Sequence, residues 1–133
     1  MSAKQSSNKI FMVEPREFYS NPQTEGSNHY QMKSANDEKQ LILDKALIEF
    51  HNFKNNLEKN GVEILCLKGI EGCPDHIFPN WFTTFEDKTM QIFPMNAENR
   101  RKEKIPEMIN YLREIYKIQS DYSYLELEDI YLE

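Results

Sequence analysis

A carboxylate, a pair of guanidinium groups and a thiol crowd into the stretch "CPDHIFPNWFTTFEDKTMQIFPMNAENRRKE", residues 73–103 of this 133-residue chain. Asp75 follows Pro74 and precedes the apolar pair Ile77 and Phe78. From a loop at a strand entry it can hold a planar cation such as a guanidinium, which takes paired acceptors; it is equally suited to an ordinary turn. Arg100 and Arg101 can offer a fork of donors to a carboxylate, or can form a solvated helix start beside Glu98 and Glu103. Cys66 alternates inward with Val62 and Ile64 and reads as a small core hydrophobe. Cys73 reads as the more exposed thiol, with no base nearby in sequence to activate it. His29, His51 and His76 share no metal-ligand spacing with one another or with the cysteines, so they read as surface histidines without a catalytic role. Trp81, Phe82 and Phe85 read as hairpin packing rather than as a stacking platform.

These groups need elements to position them. "KIFMVEP" concentrates Ile10, Phe11, Met12 and Val13 before Pro15 and predicts a short buried strand after a polar, frayed segment 1–8. The stretch from Arg16 to Lys33 is rich in turn formers yet carries Phe18, Tyr19 and Tyr30, which suits an ordered loop. Asn36 or Asp37 is placed to cap a helix with Leu43, Ala46, Leu47, Phe50, Phe53 and Leu57 on one face and Gly61 just past its end. "VEILCL" is of strand length, and "WFTTF" and "TMQIFP" across "EDK" read as an antiparallel hairpin. Ile105, Met108, Ile109, Leu112, Ile115 and Tyr116 form the stripe of a second helix, with Pro106 in its first turn. The closing "SDYSYLELEDIYLE" alternates apolar and acidic residues, so the chain reads as stopping inside a strand. The fold class is α/β.

Composition narrows the partners. Sixteen Lys plus Arg against 22 Asp plus Glu give a net charge of −6, which argues against nucleic acid or an anionic membrane as a partner. Two cysteines outside any CxxC spacing form neither a disulfide framework nor a zinc signature, and point to a reducing cytoplasm. No apolar run approaches the roughly 18 residues of a membrane helix, and the start lacks a signal peptide. At this length one core is expected, burying roughly two thirds of the unfolded surface.

Three patterns occurring together resemble the guanidino-group-modifying enzymes: arginine deiminases, dimethylarginine hydrolases and amidinotransferases. They are Met12, Val13, Pro15, Phe18, Asn21, Thr24, Asn28, Tyr30 and Gln31; then "PDHIFPNWFTT"; then "FPMNAENRRKE". The nearest likeness is to the bacterial amidinotransferase-like branch of citrulline utilization, over about Lys9 to Glu133. The resemblance implies a pentein, an α/β-propeller of ββαβ-like units around a central site. Here it would be partial, truncated after the first units, with residues 9–133 as its N-terminal portion. It also implies a Cys thiolate that attacks the guanidinium carbon, a His that moves protons, and no metal or organic cofactor.

Carried over position by position, Asp75 matches an Asp that binds substrate, Arg100 an Arg that grips the substrate carboxylate, and Glu133 the catalytic-site acid that pairs with the guanidinium and the His. The family's second substrate-binding acid has no acidic counterpart, its place falling to Trp81 or, if one Asn of the pattern is lost, to the substrate-binding candidate Asn80. The catalytic Cys and His of the family lie downstream of the segments matched here. The expectation is therefore a substrate-holding N-terminal fragment, from a truncated or split reading frame, of an enzyme acting on arginine, citrulline or a related compound. The alternatives are a non-catalytic guanidino-binding subunit completed by a C-terminal chain or a homo-oligomer, and a decayed gene product.

Overall fold

The computed structural model describes residues 5–24 and 38–132. The expected cap at Asn36 or Asp37, the motif residues Asn28, Tyr30 and Gln31, His29, and the acid Glu133 lie outside the described residues.

Two units follow each other along the chain. In the first, strand β1 (Lys9–Glu14) pairs in parallel with β2 (Glu63–Lys68), and the crossover carries helix α1 (Lys39–Lys59). The register sets Val13 opposite Leu67 and Met12 opposite Cys66, so the apolar run expected as a strand forms one. Helix α1 ends as its sequence predicts. Gly61 takes φ +83°, Gly61 N–H donates to Glu58 O and Val62 N–H to Leu57 O, both at 3.0 Å. These paired bonds satisfy the last carbonyls and turn the chain into β2. Only Phe50 of α1 is buried, while Leu43, Ala46, Leu47 and Leu57 are half-buried and Phe53 is exposed. The expected stripe is present but only partly covered.

In the second unit β3 (Phe82–Thr84) and β4 (Thr89–Ile92) form the expected antiparallel hairpin, and β5 (Lys117–Asp121) adds in parallel to β4. Between β4 and β5 run the short helix α2 (Glu98–Arg101) and helix α3 (Pro106–Arg113). Pro106 occupies the first turn of α3, where its missing N–H costs nothing. The helix stops earlier than its stripe: Ile115 and Tyr116 N–H groups fold back onto Leu112 O and the chain enters β5. The two sheets, of two and three strands, form no closed barrel among the described residues.

The core is built from Val13, Trp81, Met90, Ile92, Met95, Met108 and Leu112, with Phe11, Phe82 and Ile118 packed against it. Val13 comes from β1 and Trp81 from the loop before β3, and the other five of this buried set come from the second unit. Three expectations are corrected here. The closing segment is a 3₁₀ turn at Ser123–Glu128 followed by irregular chain to Leu132, not a strand; Arg101 and Lys104 draw its polar groups inward, as described below. His76 and Cys73 are each 1% exposed rather than at the surface, because the loop between the two units folds under itself.

Candidate functional site

That loop, residues 69–81, carries Asp75, and close backbone approaches shape it. Gly69 N–H donates to Glu14 O at 2.8 Å, and a Cβ at Gly69 would stand 3.1 Å from that same oxygen. Only glycine lets the chain pass so near β1. His76 Nδ1 accepts from Ile70 N–H at 3.3 Å, His76 N–H donates to Cys73 O, and Phe78 N–H donates to Asp75 O at 2.9 Å. Asp75 is thus a turn residue, and its half-buried side chain also reaches across the chain.

Its partner is Asn21, 0% exposed, from the loop after β1. The Asn21 Nδ2 group donates to Asp75 Oδ2 at 2.8 Å and to Asn99 Oδ1 at 2.9 Å. Asn21 Oδ1 accepts from Asn99 Nδ2 at 2.7 Å and from Gln23 N–H at 3.0 Å. The ring closes when Asn99 N–H donates to Gln23 Oε1 at 2.9 Å. Asp75 Oδ1 has no hydrogen-bond partner among the described residues, so one carboxylate oxygen is anchored and the other is available.

Arg100 follows Asn99 on α2 and is 4% exposed. Its Nε donates to Glu103 Oε2 at 2.8 Å and its Nη2 to Glu103 Oε1 at 3.2 Å, a bidentate pair with a fully buried acid. The same Nη2 also donates to Phe78 O and to Asn80 Oδ1, each at 2.6 Å. Asn80 is itself exposed at the end of the loop. Arg101 turns the other way, donating to Met95 O, Asn96 O and the Tyr131 hydroxyl. Beside it Lys104 donates to Ser123 Oγ and Glu126 Oε1. The Arg pair is therefore no solvated helix start: each arginine ties a different segment to α2.

The structure brings Asp75, Asn80 and Arg100 near one another through the Phe78 backbone, whose N–H donates to Asp75 O and whose carbonyl accepts from Arg100 beside Asn80. Sequence reasoning gave no role to Asn21, Asn99, Gln23 or Glu103, although Asn21, Asn99 and Glu103 stand inside the quoted motifs. The signal that could have found them is a short amide in an otherwise apolar or basic motif, since such a residue is buried only with its hydrogen bonds made.

Neither described thiol is poised to attack. Burial, with Glu103 adding to it, pushes Cys73 up to about 11, and burial also raises Cys66, whereas a nucleophilic thiol needs the opposite shift. His76 is driven down to about 4, first by burial and then by the Arg100 charge, which leaves a neutral imidazole. Two surface clefts are lined by Asp87, Lys88 and Arg113–Ile118 and by Gln5–Lys9 with Thr84, Phe85, Glu86, Lys88, Ile115 and Tyr116, without Asp75, Asn80 or Arg100. The Asp75 network is built of a carboxylate and amides. Among the described residues no group of three or more His, Cys, Asp or Glu is placed to hold a metal ion, and no helix is long and apolar enough to cross a membrane.

No curated protein and no solved structure matches the chain. The family model for "N,N dimethylarginine dimethylhydrolase, eukaryotic" matches residues 14–133, a span that takes in Asn21, the loop 69–81, α2 and Glu103. With that match over most of its length, the chain belongs to the dimethylarginine dimethylhydrolase family.

Proposed function

We propose that this chain is the substrate-holding part of a hydrolase acting on a guanidino or ureido compound such as arginine or citrulline. The observation that carries the reading is Asp75, anchored through Oδ2 with Oδ1 available, inside the span that the family model matches. A carboxylate fixed in this way offers directional acceptors to a planar cation. Asn80 lines the same loop end. Arg100 is the residue for the substrate carboxylate, and because it also holds Phe78 O and Asn80 its loss would disturb loop and ligand together. Glu133 is the second acid of this reading. The motifs "PDHIFPNWFTT" and "FPMNAENRRKE" favour the amidinotransferase-like citrulline branch within a partial pentein, whose ββαβ order β3–β4–α3–β5 follows. Attack on the guanidinium carbon falls to a Cys and a His outside this network, since the raised thiols of Cys66 and Cys73 are unsuited to it.

The test is L-arginine binding to the pure chain by calorimetry, together with an assay for citrulline or ammonia release. Saturable binding that disappears in Asp75→Asn, without turnover, supports the reading. Cys-dependent release by the 133 residues alone would overturn the division of labour.

A second reading is favoured by a row of exposed apolar side chains beyond β5, namely Tyr124, Leu127, Ile130 and Leu132. In it a complementary chain or a second copy covers this face. A strictly monomeric mass by light scattering at high concentration, with no co-purifying chain, would count against it.

A further inference from the structure

Asn21 uses its whole side-chain amide: both amide hydrogens are donated and its oxygen accepts twice. Its orientation follows from chemistry. A flipped carboxamide would face its oxygen toward the Asp75 carboxylate and its NH₂ toward the Asn99 NH₂ and the Gln23 N–H, losing four bonds at once. The segments it joins are far apart in sequence, Asp75 lying 54 residues on and Asn99 78 residues on. Burying an amide gains little over burying an apolar side chain of similar size, so such a network serves chiefly to specify geometry.

We infer that Asn21 is a positioning residue, holding the Asp75 carboxylate in one rotamer with Oδ1 presented to ligand and locking it, through Asn99, to the helix that carries Arg100. The inference rests on the reading of Asp75 as a ligand-binding carboxylate and adds the device that aims it. Asn99 works through Asn21, since its own amide faces Asn21 and not Asp75. Gln23 completes the frame from both sides, donating its N–H to Asn21 and accepting the Asn99 N–H.

The experiment measures the three-bond Hα–Hβ couplings of Asp75 by NMR in the full chain, and L-arginine affinity in parallel. The native protein is expected to show one Asp75 rotamer. Asn21→Ala is expected to show averaged couplings and an affinity about tenfold weaker, the loss of one hydrogen bond to a charged group. Asn99→Ala is expected to give the same changes to a smaller degree. Should Asn21→Ala fail to fold, Asn21→Ser, which removes the amide donors without adding a charge beside Asp75, is read in the same way. Unchanged couplings in a folded variant overturn the inference, and so does failure of both Asn21 variants to fold, which would make the residue a staple of the fold. Native protein that shows the expected couplings but no arginine binding sinks the proposed function and leaves the holding role of Asn21 standing. Arginine binding that is lost in Asp75→Asn but indifferent to Asn21 does the reverse.

Discussion

Helix α1 has 21 residues and buries one of them, Phe50; helix α3 has eight and buries Met108 and Leu112 completely. The long helix is sustained by its own length and by the glycine-terminated end at Gly61, and much of its apolar stripe stays partly open. The short helix stands because Met90, Ile92, Met95 and Trp81 close over it. Helix length is thus a poor guide to where the stability lies, since packing of one face outweighs propensity. The same contrast runs through the polar network. Its fixed half, Asn99, Arg100 and Glu103, comes from the densely packed second unit, and its reaching half, Asn21 and Asp75, comes from loops that the amide network fastens to it.

Breaking that fastening from its buried end should have the largest effect. Arg100→Ala takes the bidentate partner from Glu103, 0% exposed, and is expected to cost about 3–5 kcal/mol, read as a lowered urea midpoint. The double change Arg100→Met with Glu103→Leu should recover much of that loss, because no buried carboxylate then loses its bidentate partner. A double variant no more stable than Arg100→Ala would show that the links to Phe78 and Asn80 matter more than the ion pair. Next comes Leu112→Ala in α3, for which about 3 kcal/mol is expected from the cavity it leaves.

The pH dependence probes the loop itself. His76 falls from an ordinary 6.5 to about 4 in the folded chain. A base with a depressed folded value keeps its stabilising effect above the unfolded value and loses it as the unfolded chain takes up a proton first. Stability should therefore fall between pH 6.5 and 4, by on the order of 2–3 kcal/mol, and His76→Phe should flatten that slope in urea melts. An unchanged slope would mean that the carboxylates alone set the acid limb. The smallest effect is expected on α1, where Ile48 is 62% exposed: Ile48→Ala should shift stability by less than about 0.5 kcal/mol. A loss comparable to Leu112→Ala would show that α1 is covered in solution, and the contrast between the helices would fail.

The individual elements were legible because their signals are local. Apolar runs gave β1, β2 and the hairpin, Gly61 marked the end of α1, and Pro106 the start of α3. The misreadings share one cause, the distance between partners. "SDYSYLELEDIYLE" alternates as a strand does, but a strand needs a neighbour, and the Lys104 and Arg101 side chains instead draw Glu126 and Tyr131 into a turn. Cys73 and His76 read as surface residues because nothing in "CPDHIF" shows that Gly69 tucks this loop beneath β1.

What the sequence determined by itself was the family, through motifs that carry an acid and arginines and a match that runs over residues 14–133. The tertiary structure alone decided how they are used. Whether Asp75 faces water or an amide, and whether Arg100 is a solvated charge or half of a buried pair, depends on groups 54 and 3 residues away respectively. A hydrogen bond across 54 residues leaves no periodicity in the letters, because it is made only when burial brings two distant loops to within 3 Å of each other.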